Sequence, residues 1–434
     1  VNVARNIPLF IAFRVLFNAR FYYPVLGILF LDLGLTLEQY SLLNVAWAIA
    51  IVTLEVPSGA LADVIGRKRM VVLAAGLMVV EMLLFAFAPT GQPGLLFAML
   101  LLNRILSGAA EACASGADEA LAYDSLPAGT QKTAWPRVLE RLMRWQSGAF
   151  FVAMIAGALL YDPAVAQKAA ALLGSDWTPA AGQMVRWPVY ATLLSALGCL
   201  AVAMALREPA TARRGGEDSS IKQALQNIRD GARAVRIDRR ILLVLLAALT
   251  CDSIVRLFLT FESNYLRLIM VPEFLFGVIG SSFALLGFVA APLSRRMVAV
   301  NSPPVNFLVV ALMIFVGLAG AVFATPLTGV WVVVPLSLAM NALGFFVSHY
   351  LNLWTGPEMR ATVLSFRGVA LNLAYGSVGL LFAGLTDHIR KGDPSRPENA
   401  IFADSLPWLP IGFGVMVLVV GLFAMLSRQK CAHA

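Results

Sequence analysis

The chain has 434 residues, of which 59% are hydrophobic and only 13% charged, against roughly 25% charged in an ordinary soluble domain. A soluble chain of this length forms two or three polar-surfaced domains, and this charge cannot cover them. That excludes a soluble enzyme, a disordered chain and a coiled coil. The mean hydropathy of +0.78 points to a polytopic membrane protein. In that setting a net charge of +8 reports basic cytoplasmic loops rather than nucleic-acid binding.

A helix needs about 20 residues to cross about 30 Å of hydrocarbon. Twelve segments qualify: 8–31, 40–61, 70–89, 95–121, 138–160, 187–207, 240–262, 274–294, 304–324, 329–351, 362–386 and 408–427. The first contains Arg14, Asn18 and Arg20 and has no small-residue cleavage site, so it reads as a span rather than a cleavable signal. Turn-rich pieces separate the spans at Pro89–Gly94, Pro127–Thr130, Asp162–Trp187, Asn301–Pro304, Thr355–Glu358 and Asp387–Pro407. The predicted fold is an all-α membrane protein with twelve transmembrane helices in two six-helix pseudo-symmetric bundles. Residues 1–207 form the first bundle, 208–239 a cytoplasmic linker and 240–434 the second bundle. In the linker, Ile221, Leu225, Ile228 and Ala232 recur at helical spacing, which predicts a surface helix.

Charge sets the predicted orientation. With the N-terminus in the cytoplasm, 23 of the 33 basic residues fall on the cytoplasmic side and six on the other; Arg14, Arg20, Arg104 and Arg256 lie inside spans. This asymmetry predicts both termini inside, and the compact, loop-poor chain suits a bacterial inner membrane. The two halves are weakly alike. Arg20 precedes Leu37–Glu38 much as Arg256 precedes Pro272–Glu273, and Val138–Leu159 resembles Val363–Leu385. An internal repeat of this kind predicts a binding site between the halves near mid-membrane.

Between spans two and three the sequence reads Gly59-Ala-Leu-Ala-Asp63-Val-Ile-Gly66-Arg67-Lys68-Arg69. This resembles the signature loop of the major facilitator superfamily, G-x-L-x-D-x-x-G-R-K. In span four, Arg104-Ile-Leu-Ser-Gly108 resembles the same family's R-x-x-x-G motif, with Ser107 where glutamine is common. The resemblance implies a secondary transporter working by alternating access. It also implies that the loop acts as a gating latch built from Gly59, Asp63, Gly66, Arg67 and Lys68. Gly59 suits close helix approach, Asp63 suits capping of a helix N-terminus, and Gly66 suits a tight turn. Arg67 has Asp118, Glu119 and Asp124 as candidate acidic partners. Two elements depart from family patterns. The second-half loop, Pro292-Leu-Ser-Arg295-Arg296, lacks the aspartate and glycines. Span five, Gly148-Ala-Phe-Phe-Val-Ala-Met-Ile-Ala-Gly157, lacks the Gly-Pro pair of drug–proton antiporters.

An ionisable residue at mid-membrane costs about 2.5–3.5 kcal/mol or more, so it faces the bundle interior or a water-filled cavity and marks function. Polar stripes run along span one, span two (Asn44, Glu55), span four (Arg104, Glu111, Asp118), span seven (Asp252, Arg256, Thr260), span ten (Ser337, Asn341) and span eleven (Asn372, Tyr375). The candidate substrate-binding residues are Arg14, Asn18, Arg20, Arg104, Arg256, Asn341, Asn372 and Tyr375. Glu55, Glu81, Glu111 and Asp252 are the candidate proton-coupling carboxylates. Structural pairing is the competing reading: Asp252 with Arg256, Arg104 with Glu111 or Glu81, and Arg20 with Glu55.

The chain has no GxxxxGK[ST], HExxH or GxSxG motif, so no enzymatic activity is expected. Cys113, Cys199, Cys251 and Cys431 have no disulfide or zinc spacing, and His349, His388 and His433 are scattered. No cofactor and no metal are expected. The expected partners are a small-molecule substrate, protons as coupling ion and the lipid bilayer, with no nucleic acid and a monomeric state. The substrate is an amphipathic or anionic organic solute. The alternatives are a multidrug-type exporter of lipophilic cations or, on the same fold, a channel or sensor.

Overall fold

In the computed structural model, residues 5–127, 129–208, 221–356 and 359–432 are described. Among them twelve helical stretches are long and apolar enough to cross a membrane. The fold is all-α, as the hydropathy pattern requires, because lipid leaves each span's backbone to satisfy itself. Large apolar side chains such as Leu194, Phe288 and Leu381 are exposed, which is tolerable where the surrounding solvent is hydrocarbon.

The helices follow in chain order: α1 (Asn6–Asn18), α2 (Leu26–Asp32), α3 (Leu37–Ile65), α4 (Arg67–Phe87), α5 (Pro93–Ala114), α6 (Ala117–Asp124), α7 (Gln131–Tyr161), α8 (Pro163–Leu172), α9 (Ala181–Met184), α10 (Trp187–Ala205) and α11 (Ile221–Ile237). They continue with α12 (Arg239–Thr260), α13 (Glu262–Leu268), α14 (Phe276–Val300), α15 (Pro303–Val322), α16 (Val333–Trp354), α17 (Arg360–Gly392), α18 (Glu398–Ser405) and α19 (Trp408–Ala432). Several spans are longer than their apolar runs. α3, α7 and α17 extend by a turn or more into polar sequence. The pieces expected as turns at 162–187 and 387–407 contain α8, α9 and α18. Hydropathy marks the membrane-immersed part of a helix, whereas hydrogen bonding continues until a cap stops it. Asp162 is such a cap: it accepts the Ala164 amide at 2.8 Å and opens α8 at Pro163.

The chain forms two compact units. One comprises Val1–Leu35, Ala46–Leu225 and Pro272–Ser281; the other comprises Thr36–Val45, Gln226–Val271 and Ser282–Ala434.

In the first unit, α4 packs on α5 and α10, and α1 on α10 and α7. The first span is broken. α1 ends at Asn18, with Ala19 as its cap, and a short 3-10 turn over Tyr23–Val25, with Pro24 in its middle, leads into α2. Broken backbone at membrane depth needs substitute partners, and α10 supplies them. The Phe21 amide donates to the Thr192 hydroxyl at 3.0 Å, and the Ser195 hydroxyl donates to the Leu16 carbonyl at 2.8 Å. Gly157 of α7 lies directly against the Phe21 carbonyl, where an added methyl would collide with backbone. The fourth span is also broken, at Gly116, whose left-handed φ of 76° separates α5 from α6. In the second unit, α12 packs on α16, α17 and α19, and α15 on α16.

Candidate functional site

Each unit carries its own polar cluster. In the first, Arg20 sits at the break after α1 and reaches Glu81 on α4: Arg20 Nη1 lies 2.6 Å from Glu81 Oε1. Their side chains are 4% and 0% exposed, so this pair is a fully desolvated one. Arg20 Nη1 also donates to the Tyr22 hydroxyl at 2.9 Å, and its guanidinium stands 5.7 Å from the Phe17 ring. Asn103 of α5 donates to the Glu81 backbone carbonyl at 2.7 Å. The pairing differs from the expected Arg20–Glu55 contact. Glu55 is half-buried, and α4, not α3, presents the matching acid.

Arg104 is buried with its guanidinium 5.6 Å from the Trp47 ring, a cation–π geometry. It lies one turn before Gly108, which packs closely on α3: a methyl at Gly108 would meet Ala50 Cβ at 2.8 Å and the Trp47 carbonyl at 2.9 Å. Close helix approach was expected at Gly59, but there a methyl meets nothing within 4 Å among the described residues. The small-residue contact between α3 and α5 is made at Gly108 instead.

The signature loop has a definite structure. Gly66 adopts φ +100°, which an L side chain rarely takes, and α4 starts at the next residue. The Arg67 side chain pairs with Asp124 at the end of α6. Of the other two expected partners, Asp118 and Glu119 both engage Arg14, at 2.9 and 3.2 Å. Asn18 donates back to the Arg14 carbonyl at 2.8 Å. The Asp63 side chain falls outside the described residues. The carboxylate at the α4 N-terminus is Glu208, which accepts the Arg67 amide at 3.1 Å and the Lys68 amide at 2.8 Å. An acid there complements the positive helix end. Sequence reading missed Glu208, although an acid closing span six just before the basic linker was a usable signal.

In the second unit the α12 stripe becomes a cluster. Asp252 and Arg256, one turn apart, pair at 2.7 Å. Arg256 Nη1 donates to Asn372 Oδ1 at 2.9 Å, and its guanidinium stands 5.3 Å from the Tyr375 ring. The Thr260 and Tyr375 hydroxyls lie 3.0 Å apart. Asp252 is 8% exposed, whereas the Arg256 side chain remains 28% exposed. Asn341 of α16 donates to the Ser337 carbonyl at 2.8 Å, and its Oδ1 faces Gly287 of α14. It does not join the Arg256 cluster by a direct hydrogen bond. Glu111, like Glu55, is half-buried and forms no ion pair among the described residues. A further cluster escaped sequence reading: Arg390 bridges Glu38 (3.0 Å) and Glu398 (2.7 Å). No group of three or more His, Cys, Asp and Glu suited to a metal occurs among the described residues.

The family model described as Major Facilitator Superfamily matches residues 9–375. The chain belongs to the major facilitator superfamily. It is therefore a multi-pass membrane transporter and not an enzyme. No curated protein sequence matches the transporter. Among solved structures it is similar to the nucleoside transporter NupG (13% identity, TM-score 0.70, covering 96% of this chain and 100% of that one). It is also similar to a bacterial homologue of the human lysosomal transporter Spinster (16%, 0.71, 99% and 97%) and to a D-xylose–proton symporter (14%, 0.65, 97% and 97%). At these identities the likeness is one of fold.

Proposed function

We propose that this transporter is a proton-coupled secondary carrier of a small organic anion or acidic amphipathic solute, working by alternating access. The observation that carries the reading is the Asp252–Arg256–Asn372–Tyr375 cluster on α12 and α17. A cation in a membrane span is costly, and here it is held by one carboxylate, one amide oxygen and one ring while its side chain stays 28% exposed, which we take as room for an anion at the guanidinium edge. A carboxylate or phosphate that takes that edge draws the guanidinium away from Asp252, since bidentate pairing to an anion is strong. Asp252 is then a buried carboxylate without its counter-charge, and uptake of a proton neutralises it. Substrate and proton thus enter together: the anion takes the counter-charge of Asp252, and the proton neutralises the carboxylate left behind. Similarity in fold to a proton symporter is consistent with this coupling.

Among the four candidate carboxylates this assigns Asp252 the proton and gives Glu81 a structural partner in Arg20. Arg14, Asn18, Arg20, Arg104 and Asn341 stand behind Arg256, Asn372 and Tyr375 as substrate contacts. The latch reading of Gly59, Asp63, Gly66, Arg67 and Lys68 is retained, with Asp124 as Arg67's partner. The excess of basic residues on one side supports cytoplasmic termini and a bacterial inner membrane. Export of lipophilic cations remains the second reading because Glu55 and Glu111 are half-buried carboxylates outside any ion pair among the described residues.

The test is a thermal-stability screen of the purified transporter against anionic, neutral and cationic organic compounds at mildly acidic and neutral pH. A ligand at about 100 times its Kd adds about 2.7 kcal/mol. Anions should stabilise, more so in acid, and Arg256→Lys should weaken them about tenfold. Lysine keeps the charge but cannot hold Asp252, Asn372 and an anion in one plane. Stabilisation by lipophilic cations, lost in Glu55→Gln or Glu111→Gln and untouched by Arg256→Lys, would replace the anion reading with the exporter.

A further inference from the structure

The second unit contains a cavity of about 570 Å³ lined by α12, α15, α16 and α19, and none of Asp252, Arg256, Asn372 and Tyr375 lines it. Along α12 it runs from Arg239 to Cys251, twelve residue steps, or about 18 Å of helix. Half of a bilayer's hydrocarbon is about 15 Å, so the cavity is about one leaflet deep. Between its ends the wall is apolar, with Val244, Ala247, Phe307, Ala311 and Val420 along its length, while Thr250 and Cys251 close the inner end. The helix faces that flank it, at Leu308, Leu312, Leu418 and Leu422, are exposed and apolar, as a lipid-facing surface must be.

The polar end has a different chemistry. Arg239 and Arg240, the first two residues of α12, stand at the mouth with Trp354, the last residue of α16. Arg239 Nη2 donates to the Ala424 carbonyl at 2.9 Å, which fixes its guanidinium beside α19. Arg240 lies over Trp354 at 5.5 Å and pairs with Asp238 at 2.9 Å. Among the described residues at the mouth, two cations stand with one carboxylate, Asp238, which makes the described mouth net positive, and the N-terminus of α12 adds to it. Tryptophan with arginine at the end of a span is the composition of a headgroup-level anchor.

We infer that this cavity is a binding site for one anionic glycerophospholipid, with an acyl chain along α12 and α15 and the phosphate at Arg239 and Arg240. Charge complementarity selects that occupant. A zwitterionic lipid fills the apolar wall equally well but leaves the net positive mouth uncompensated, while a soluble phosphate satisfies the mouth and leaves the wall empty. The site shares no lining residue with the proposed transport cluster, so its occupancy is measurable whether or not the transport reading holds.

The experiment is native mass spectrometry of the full chain in neutral detergent, titrated with phosphatidylglycerol, with phosphatidylcholine of the same acyl chains, and with inorganic phosphate. The expected result is one tightly retained phosphatidylglycerol, bound about tenfold more tightly than phosphatidylcholine, and no retained phosphate. Arg239→Gln/Arg240→Gln should reduce that preference to within about twofold. Arg295→Gln/Arg296→Gln, which removes two exposed charges elsewhere in the same unit, should leave it intact. Ala311→Phe, which fills the cavity, should weaken both lipids and covers the case in which the double arginine variant does not fold. Equal retention of both lipids, an equal loss of preference in both arginine double variants, or unchanged binding in Ala311→Phe would overturn the assignment. So would retention of phosphate alone.

Discussion

Replacing Glu81 tests most directly whether Arg20 is a structural cation or a substrate contact. The pair is 2.6 Å apart and almost wholly inaccessible, at 4% and 0%, so surface-pair values of about 0–1 kcal/mol do not apply. Glu81→Leu leaves a buried guanidinium whose remaining described hydrogen bond is to the Tyr22 hydroxyl. Breaking a buried pair from one side costs about 3–5 kcal/mol. For a unit of roughly 225 residues each kcal/mol moves Tm by about 2–4 °C, so a fall of about 10 °C is expected. The double variant Glu81→Leu/Arg20→Met removes both charges, and a buried pair replaced by apolar residues of similar volume is often neutral or better. Scanning calorimetry of the four proteins in one detergent gives the coupling. The reasoning fails if Glu81→Leu loses less than about 1 kcal/mol, or if the double variant is no more stable than the worse single. A double variant that is stable yet inactive in proteoliposome uptake would return Arg20 to the substrate site.

Three further predictions rest on separate contacts. Gly157→Ala drives a methyl into the Phe21 carbonyl. It should cost at least about 1–3 kcal/mol, read as a lower Tm, whereas Gly148→Ala on the same helix, with open space around it, should be nearly silent. Reversing the latch pair should be partly self-correcting. Arg67→Asp and Asp124→Arg alone should each slow proteoliposome uptake, and the double reversal should recover part of the rate; no recovery would remove the pair from the gating account. Asp238 caps α12 and bonds the Arg240 side chain, which holds its carboxyl below the usual carboxylate range. Its contribution, about 1 kcal/mol for a cap, is present at neutral pH and lost as pH falls below about 4 through the folded-state value. The Tm gap between wild type and Asp238→Ala should therefore narrow in acid.

The twelve spans and the membrane class were legible in the sequence because hydropathy is a local property: twenty apolar residues declare themselves without reference to the rest of the chain. The signature loop was equally local. The tight turn at Gly66 and the basic pair after it are backbone and composition features, and the Asp252–Arg256 pair follows from spacing on one helix. Partners across helices were not legible. Whether Arg20 meets Glu55 on α3 or Glu81 on α4, 61 residues away, depends on where α1 breaks and how α4 is rotated. That is decided by packing, by Gly157 under Phe21 and by Thr192 and Ser195 at the broken turn. The same holds for Glu208 at the head of α4 and for Arg390 between Glu38 and Glu398. Each joins residues that no periodicity relates, because a buried charge takes whichever partner the folded chain brings within hydrogen-bond reach. The sequence by itself determined a twelve-span facilitator with charges in its membrane core. The tertiary structure decided which of those charges neutralise one another and that Arg256, unlike Arg20, stays partly exposed.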